Sequence, residues 1–87
     1  MWYVYIVECL DGSLYTGITT DIERRIHEHN NTKKGAKYTR SRRPVTLLWS
    51  KSLATQSEAL LFEIQIKKLK RTKKLELISK KDSAKDL

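Results

Sequence analysis

The chain has 87 residues, 39% hydrophobic and 32% charged, with three glycines and one proline, enough for one modest core and too short for a second, with no linker or low-complexity composition. No apolar run approaches the roughly 18 residues of a membrane span and no leader-like segment opens the chain, so a cytoplasmic protein with no membrane partner is expected. The net charge of +8 is unevenly placed: residues 1–30 carry two basic and five acidic side chains, residues 31–51 seven basic and none acidic, and residues 52–87 nine basic and five acidic, and a stretch of one sign points to an anionic partner.

Residues 2–10, Trp-Tyr-Val-Tyr-Ile-Val-Glu-Cys-Leu, are β-branched or aromatic on both alternating faces, as in a central strand covered on two sides. Cys9, the single cysteine, excludes an internal disulfide or a cysteine zinc cluster and reads as a reduced, buried thiol. Asp11-Gly12 marks a turn, and Ser13 to Thr19 is the returning strand of a hairpin. Two registers are open. A two-residue loop pairs Glu8 with Tyr15 and puts Tyr5 and Tyr15 on opposite faces, whereas a three-residue loop, Asp11-Gly12-Ser13, or a bulge pairs Cys9 with Tyr15 and puts both tyrosines on one face.

Thr20-Asp21-Ile22-Glu23 has capping-box spacing and predicts a helix from about Asp21 to His29, closed by Asn30-Asn31. From Asn31 to Pro44 the chain is polar, basic and aperiodic, hence a loop with room for one helical turn. Pro44 precedes a third strand, Val45 to Leu53. Thr55-Gln56-Ser57-Glu58 is a second capping box, followed at helical spacing by Ala59, Phe62, Ile66 and Leu69. Thr72 can cap a last short helix with Leu75, Leu77 and Ile78, leaving a frayed, disordered tail of mixed charge expected at 81–87 beyond a domain at 1–80. The order predicts an α+β fold, a small three-stranded, mainly antiparallel sheet flanked by helices.

Some residues call for more than a structural explanation. Glu63 lies beside the apolar stripe of its helix, where an unpaired carboxylate costs several kcal/mol, on the order of the penalty for buried charge, unless a cation meets it. A salt bridge to Lys67 at i+4, worth about half a kcal/mol, is the plain alternative. Arg25 and His29, four apart, share a helix face, while Arg24 points elsewhere and His27 cannot join His29 at one site.

These residues resemble the GIY-YIG nuclease family, specifically its small stand-alone (UPF0213-like) members. Tyr3-Val4-Tyr5 stands where the family has Gly-Ile-Tyr, and Tyr15-Thr16-Gly17 where it has Tyr-Ile-Gly. The helix Ile-Glu-Arg-Arg-Ile-His-Glu-His matches the family's arginine at Arg25 and, as in some members, a histidine at His29. Glu-Ala-Leu-Leu-Phe-Glu-Ile-Gln-Ile-Lys-Lys places the family's metal-binding glutamate at Glu63. The similarity spans residues 2 to about 70, with Tyr3 and Thr16 departing at structural positions.

The resemblance implies a metal-dependent endonuclease that hydrolyses nucleic-acid phosphodiesters, DNA favoured over RNA, with catalytic residues Tyr5, Tyr15, Arg25, His29 and Glu63. Glu63 would hold one Mg²⁺ or Mn²⁺, and Arg25 the non-bridging phosphate oxygens. Tyr5 or Tyr15 would orient or deprotonate water, but a phenol of pKa about 10 is only about 0.1% ionised near pH 7, so nearby cations would have to lower it. This requires the register that puts both tyrosines on one face. His29 would assist or contact phosphate. Lys33, Lys34, Lys37, Arg40, Arg42 and Arg43 would grip the backbone, with Tyr38 stacking on a base. Sequence targeting would fall to a partner protein. The rival readings are a nucleic-acid-binding module of the same fold without turnover, and an interaction or anionic-membrane module using Lys67 to Lys81. Oligomeric state is left open.

Overall fold

The computed structural model describes residues 1–86, with side chains for residues 1–79; the tail set apart at 81–87 lies outside the described side chains. Strands β1 (Trp2–Glu8), β2 (Leu14–Thr19) and β3 (Thr46–Leu53) form one antiparallel sheet in the order β2-β1-β3. Four helices accompany it: α1 (Ile22–Asn31), α2 (Lys37–Arg40), α3 (Gln56–Lys67) and α4 (Arg71–Asp86). The expected α+β architecture is thus observed. Among the described residues no helix is long and apolar enough to cross a membrane.

β1 is central because both of its faces are apolar, and each receives its own cover. Val4 and Ile6 point one way, into a cluster with Trp49 and Ile66 sealed by Phe62, Leu77 and Ile78. Tyr5, Val7 and Cys9 point the other way, packing with Val45, Tyr15, Ile22 and Ile26. Cys9 is a buried free thiol, as expected. On β3 the run Leu47-Leu48-Trp49 breaks clean alternation, and the β1–β3 register shifts there, from Ile6 opposite Trp49 to Val7 opposite Leu47. Leu48 is the extra residue of this irregularity.

The β1–β2 register has the parity that the functional reading required, by a different turn. Tyr5 faces Gly17 and Val7 faces Tyr15, so Tyr5 and Tyr15 share a face. The loop does contain three residues, but they are Leu10, Asp11 and Gly12: Cys9 N–H donates to the Ser13 carbonyl over 2.8 Å, and Gly12 takes φ +84°. Gly12 supplies the left-handed residue that closes a three-residue hairpin, so the turn lies one residue earlier than Asp11-Gly12-Ser13 and Cys9 does not face Tyr15.

Helix starts divide similarly. Thr55 and Glu58 cap α3 reciprocally as predicted. At α1 the cap is Asp21, whose carboxylate accepts from Arg24 N–H, and not Thr20; Thr19 and Asp21 hydrogen-bond each other across the bend, which moves the helix start one residue on. α1 continues through both asparagines to a C-cap at Thr32. The Asn30 amide meets both Val45 backbone groups, accepting from N–H at 2.7 Å and donating to C=O at 3.1 Å, so it acts as a one-residue strand partner that fixes where β3 begins. Thr72 lies inside α4, whose first-turn N–H groups at Lys73 and Lys74 bond to the Lys70 carbonyl. α4 is longer than the short helix expected, consistent with a segment lacking glycine and proline.

Candidate active site

The site lies on the face of the sheet that carries Tyr5. Glycine 17 lies directly across from Tyr5, and a Cβ there would sit 2.6 Å from the Tyr5 hydroxyl and 3.2 Å from the Tyr15 ring. The absence of a side chain lets the Tyr5 ring lie across β2, which is the physical content of the Tyr-x-Gly spacing. Tyr5 is 1% exposed. Its hydroxyl is 2.8 Å from His29 Nε2, and the His29 ring also meets the Tyr15 ring edge-on at 5.5 Å between centroids.

His29 is fully buried, and its second nitrogen, Nδ1, is 2.8 Å from the hydroxyl of Thr39 on α2. Both ring nitrogens are therefore occupied, and the expected direct contact of His29 with a phosphate is not available to it. Burial first, then the positive charges of Arg25 and Arg43, push its pKa down to about 4, with Glu28 pulling the other way. The imidazole is neutral at pH 7.

Tyr5 moves in the direction opposite to the one a phenolate requires. Desolvation raises its pKa to about 12, outweighing Arg25, which is close enough to offer its oxygen a hydrogen bond; the charges of Tyr15 and Glu63 add to the rise. Glu63, on α3, is near enough for its charge to act on Tyr5. Arg25 is held by Glu28 at 3.1 Å and the Lys34 carbonyl at 2.8 Å. Glu63 is 17% exposed and pairs with Lys67 at 3.5 Å, so the plain salt bridge coexists with its place at the site.

The basic segment is stitched to α1. Gly35 packs on its backbone, where a Cβ would lie 2.9 Å from the Glu28 carbonyl and from His29 Cα. Arg43 donates to the carbonyls of His29, over 2.5 Å, and of Thr32. Arg42 pairs with Asp11 at 3.1 Å, donates to the Tyr38 carbonyl at 2.7 Å and covers the Tyr38 ring at 4.1 Å. These two arginines, expected on phosphates, already have partners within the chain, Arg43 in part-buried bonds and Arg42 at the surface. Tyr38 also stacks on Tyr15 at 6.0 Å, so a base would compete with contacts its ring already has. Lys33, Lys34, Lys37 and Arg40 are exposed and make no ion pair among the described residues.

Three residues of this arrangement had no signal in the sequence: Thr39 and Asn30, polar residues in polar surroundings, and Gly35, one glycine of a loop. Thr16, on the opposite face of β2, is buried with no hydrogen-bond partner for its hydroxyl among the described residues.

No group of three or more His, Cys, Asp or Glu side chains positioned for a metal ion occurs among the described residues. Glu63 offers a single carboxylate, which suits Mg²⁺, an ion that keeps most of its waters and binds through one or two carboxylates and substrate phosphates. It does not suit a metal that needs a closed protein cage.

The model of the GIY-YIG catalytic domain matches residues 1–76. The chain belongs to the GIY-YIG family. A UPF0213 protein of Desulfotalea psychrophila is 57% identical over 88% of this chain and 70% of its own length, and one of Staphylococcus saprophyticus is 58% identical over 88% and 93%. The solution structure of a UPF0213 protein from Bacillus halodurans, 50% identical, superposes with a TM-score of 0.58 over 91% of this chain and 84% of that one.

Proposed function

We propose that this protein is a metal-dependent endonuclease that hydrolyses nucleic-acid phosphodiester bonds. The observation that carries the reading is the shared face of Tyr5 and Tyr15, with Arg25 and the charge of Glu63 acting on Tyr5, beside the exposed Lys33, Lys34 and Lys37, which make no ion pair among the described residues. Hydrolysis needs an oriented water, a nearby acceptor for its proton, and positive charge for the developing phosphorane and the leaving oxygen. The Tyr5 and Tyr15 hydroxyls orient the water. Arg25, anchored through one nitrogen by Glu28 and Lys34, presents the rest of its planar fork to non-bridging oxygens. Glu63 would hold one Mg²⁺ or Mn²⁺, which would supply Lewis acidity. Lys33, Lys34, Lys37 and Arg40 track the backbone without reading bases, so binding is salt-sensitive and of low sequence specificity. DNA is the preferred substrate, and a partner protein supplies targeting.

The test is incubation of purified protein with labelled duplex, single-stranded and branched DNA and with RNA, in Mg²⁺, Mn²⁺ or EDTA, with Glu63→Ala alongside. Cleavage by wild type only, stopped by EDTA, is expected. The Glu63–Lys67 ion pair and the upward shift of Tyr5 favour a second reading, a binding module without turnover. Equal, salt-sensitive binding by both proteins with no cleavage would establish it.

A further inference from the structure

We propose that Thr39 is a positioning residue of the site: its hydroxyl holds His29 in the Nδ1–H tautomer, so that the Tyr5 hydroxyl donates inward to His29 and leaves its lone pairs free to accept. The functional part rests on the nuclease reading above; the tautomer does not.

Proton counting along the buried chain carries the assignment. Thr39 Oγ1 is 2.9 Å from the Ala36 carbonyl oxygen and 2.8 Å from His29 Nδ1. Two oxygens at that separation need a proton between them, and the carbonyl has none, so the single hydroxyl proton of Thr39 points to Ala36. The contact to Nδ1 then needs its proton from the imidazole. A neutral ring with hydrogen on Nδ1 has a bare Nε2, and the 2.8 Å contact there is made by the Tyr5 O–H as donor. The ring is neutral because it has no exposure to water and faces Arg25 and Arg43, with Glu28 the one acidic group acting on it. The chain runs one way, from Tyr5 to His29 to Thr39 to Ala36.

The direction matters for chemistry. With its proton turned inward, the Tyr5 oxygen can only accept from the other side, from Arg25 or from a water that must be polarised toward oxygen nucleophilicity. In the opposite tautomer Nε2–H would donate to Tyr5 and the phenol proton would face the water, the wrong polarity for activating it. Thr39 lies in the same helical turn as Lys37 and Arg40, so the element that meets the phosphates also sets the orientation of Tyr5.

The experiment is long-range ¹H–¹⁵N correlation NMR of the histidine rings at pH 7 in wild type, Thr39→Val, Thr39→Ser and Tyr5→Phe, with cleavage kinetics on the first three. Wild type and Thr39→Ser should show His29 with Nδ1 protonated. Thr39→Val, which keeps the shape and loses the acceptor, should change to Nε2–H and lose about 10- to 100-fold in kcat with KM within about twofold. Tyr5→Phe should retain Nδ1–H, because Thr39 holds it from the other side. An Nε2–H wild type, a Thr39→Val protein still carrying Nδ1–H, or loss of that tautomer in Tyr5→Phe would each overturn the assignment. Should Thr39→Val not fold, wild type and Tyr5→Phe still decide it. A wild type that shows the Nδ1–H tautomer yet cleaves nothing removes the nuclease reading and leaves the Thr39–His29 assignment standing.

Discussion

The two faces of β1 differ by one residue of register and by almost everything else. Val4 and Ile6 point into aliphatic and aromatic packing with α3 and α4, with Trp49 stacked on Phe62 at 6.1 Å between centroids. Tyr5 and Val7 point toward α1, where a buried tyrosine, histidine and threonine are linked by hydrogen bonds of 2.8 Å. One strand thus supplies the main core with its even residues and the candidate active site with its odd ones. Polar groups can be buried on the second face because each meets a partner, which is the condition for burying them at all. The first face breaks that condition once, at Thr16.

The sharpest way to break this division is to compare neighbours. Ile6→Ala should lose about 2–5 kcal/mol of stability, the usual cost of emptying a packed site, without altering the chemistry per folded molecule. Urea titration beside specific activity corrected for the folded fraction measures both, and a drop in specific activity would mean that the faces are not separate.

Next comes pH. His29 is held near pKa 4 in the folded protein against about 6.5 unfolded. Above pH 6.5 neither state is protonated and the full stability is present. As pH falls from 6.5 to 4 the unfolded chain takes up a proton that the folded one refuses, so stability declines by up to about 3 kcal/mol, less any solvent screening. Denaturation midpoints of wild type and His29→Asn at pH 7 and pH 4.5 should converge toward acid, and parallel losses would assign the acid sensitivity to other groups.

The smallest effect is expected at Thr16, whose buried hydroxyl lacks a partner among the described residues. Thr16→Val should stabilise by about 1 kcal/mol, by removing an unsatisfied polar group at constant shape, with cleavage unchanged. A destabilised variant would show that the hydroxyl has a partner in solution, for example a water.

Much of the fold was legible because local patterns carried it. The double-sided apolarity of residues 2–10 announced a central strand, observed over Trp2–Glu8, and the Thr55–Glu58 capping box announced the start of α3. The parity of the hairpin was narrowed to two cases but not chosen, since a two-residue and a three-residue loop both fit Asp-Gly; Gly12 at positive φ decided it. At α1 two adjacent capping residues competed, and the Thr19–Asp21 bend favoured the second. Among the basic residues composition could count charges but could not say which already had partners: Arg42 pairs with Asp11 at the surface, and Arg43 reaches the carbonyls of His29 and Thr32.

By itself the sequence determined what depends on neighbours within a few positions: the approximate placement of strands and helices and the concentration of positive charge in 31–51. Only the tertiary structure decided which polar groups are partnered. The bond from Tyr5 to His29 spans 24 positions, that from His29 to Thr39 spans 10, and that from Arg42 to Asp11 spans 31. A hydrogen bond between side chains so far apart leaves no periodicity in the chain, because it is made by the packing of α1 and α2 onto the sheet rather than by local backbone geometry.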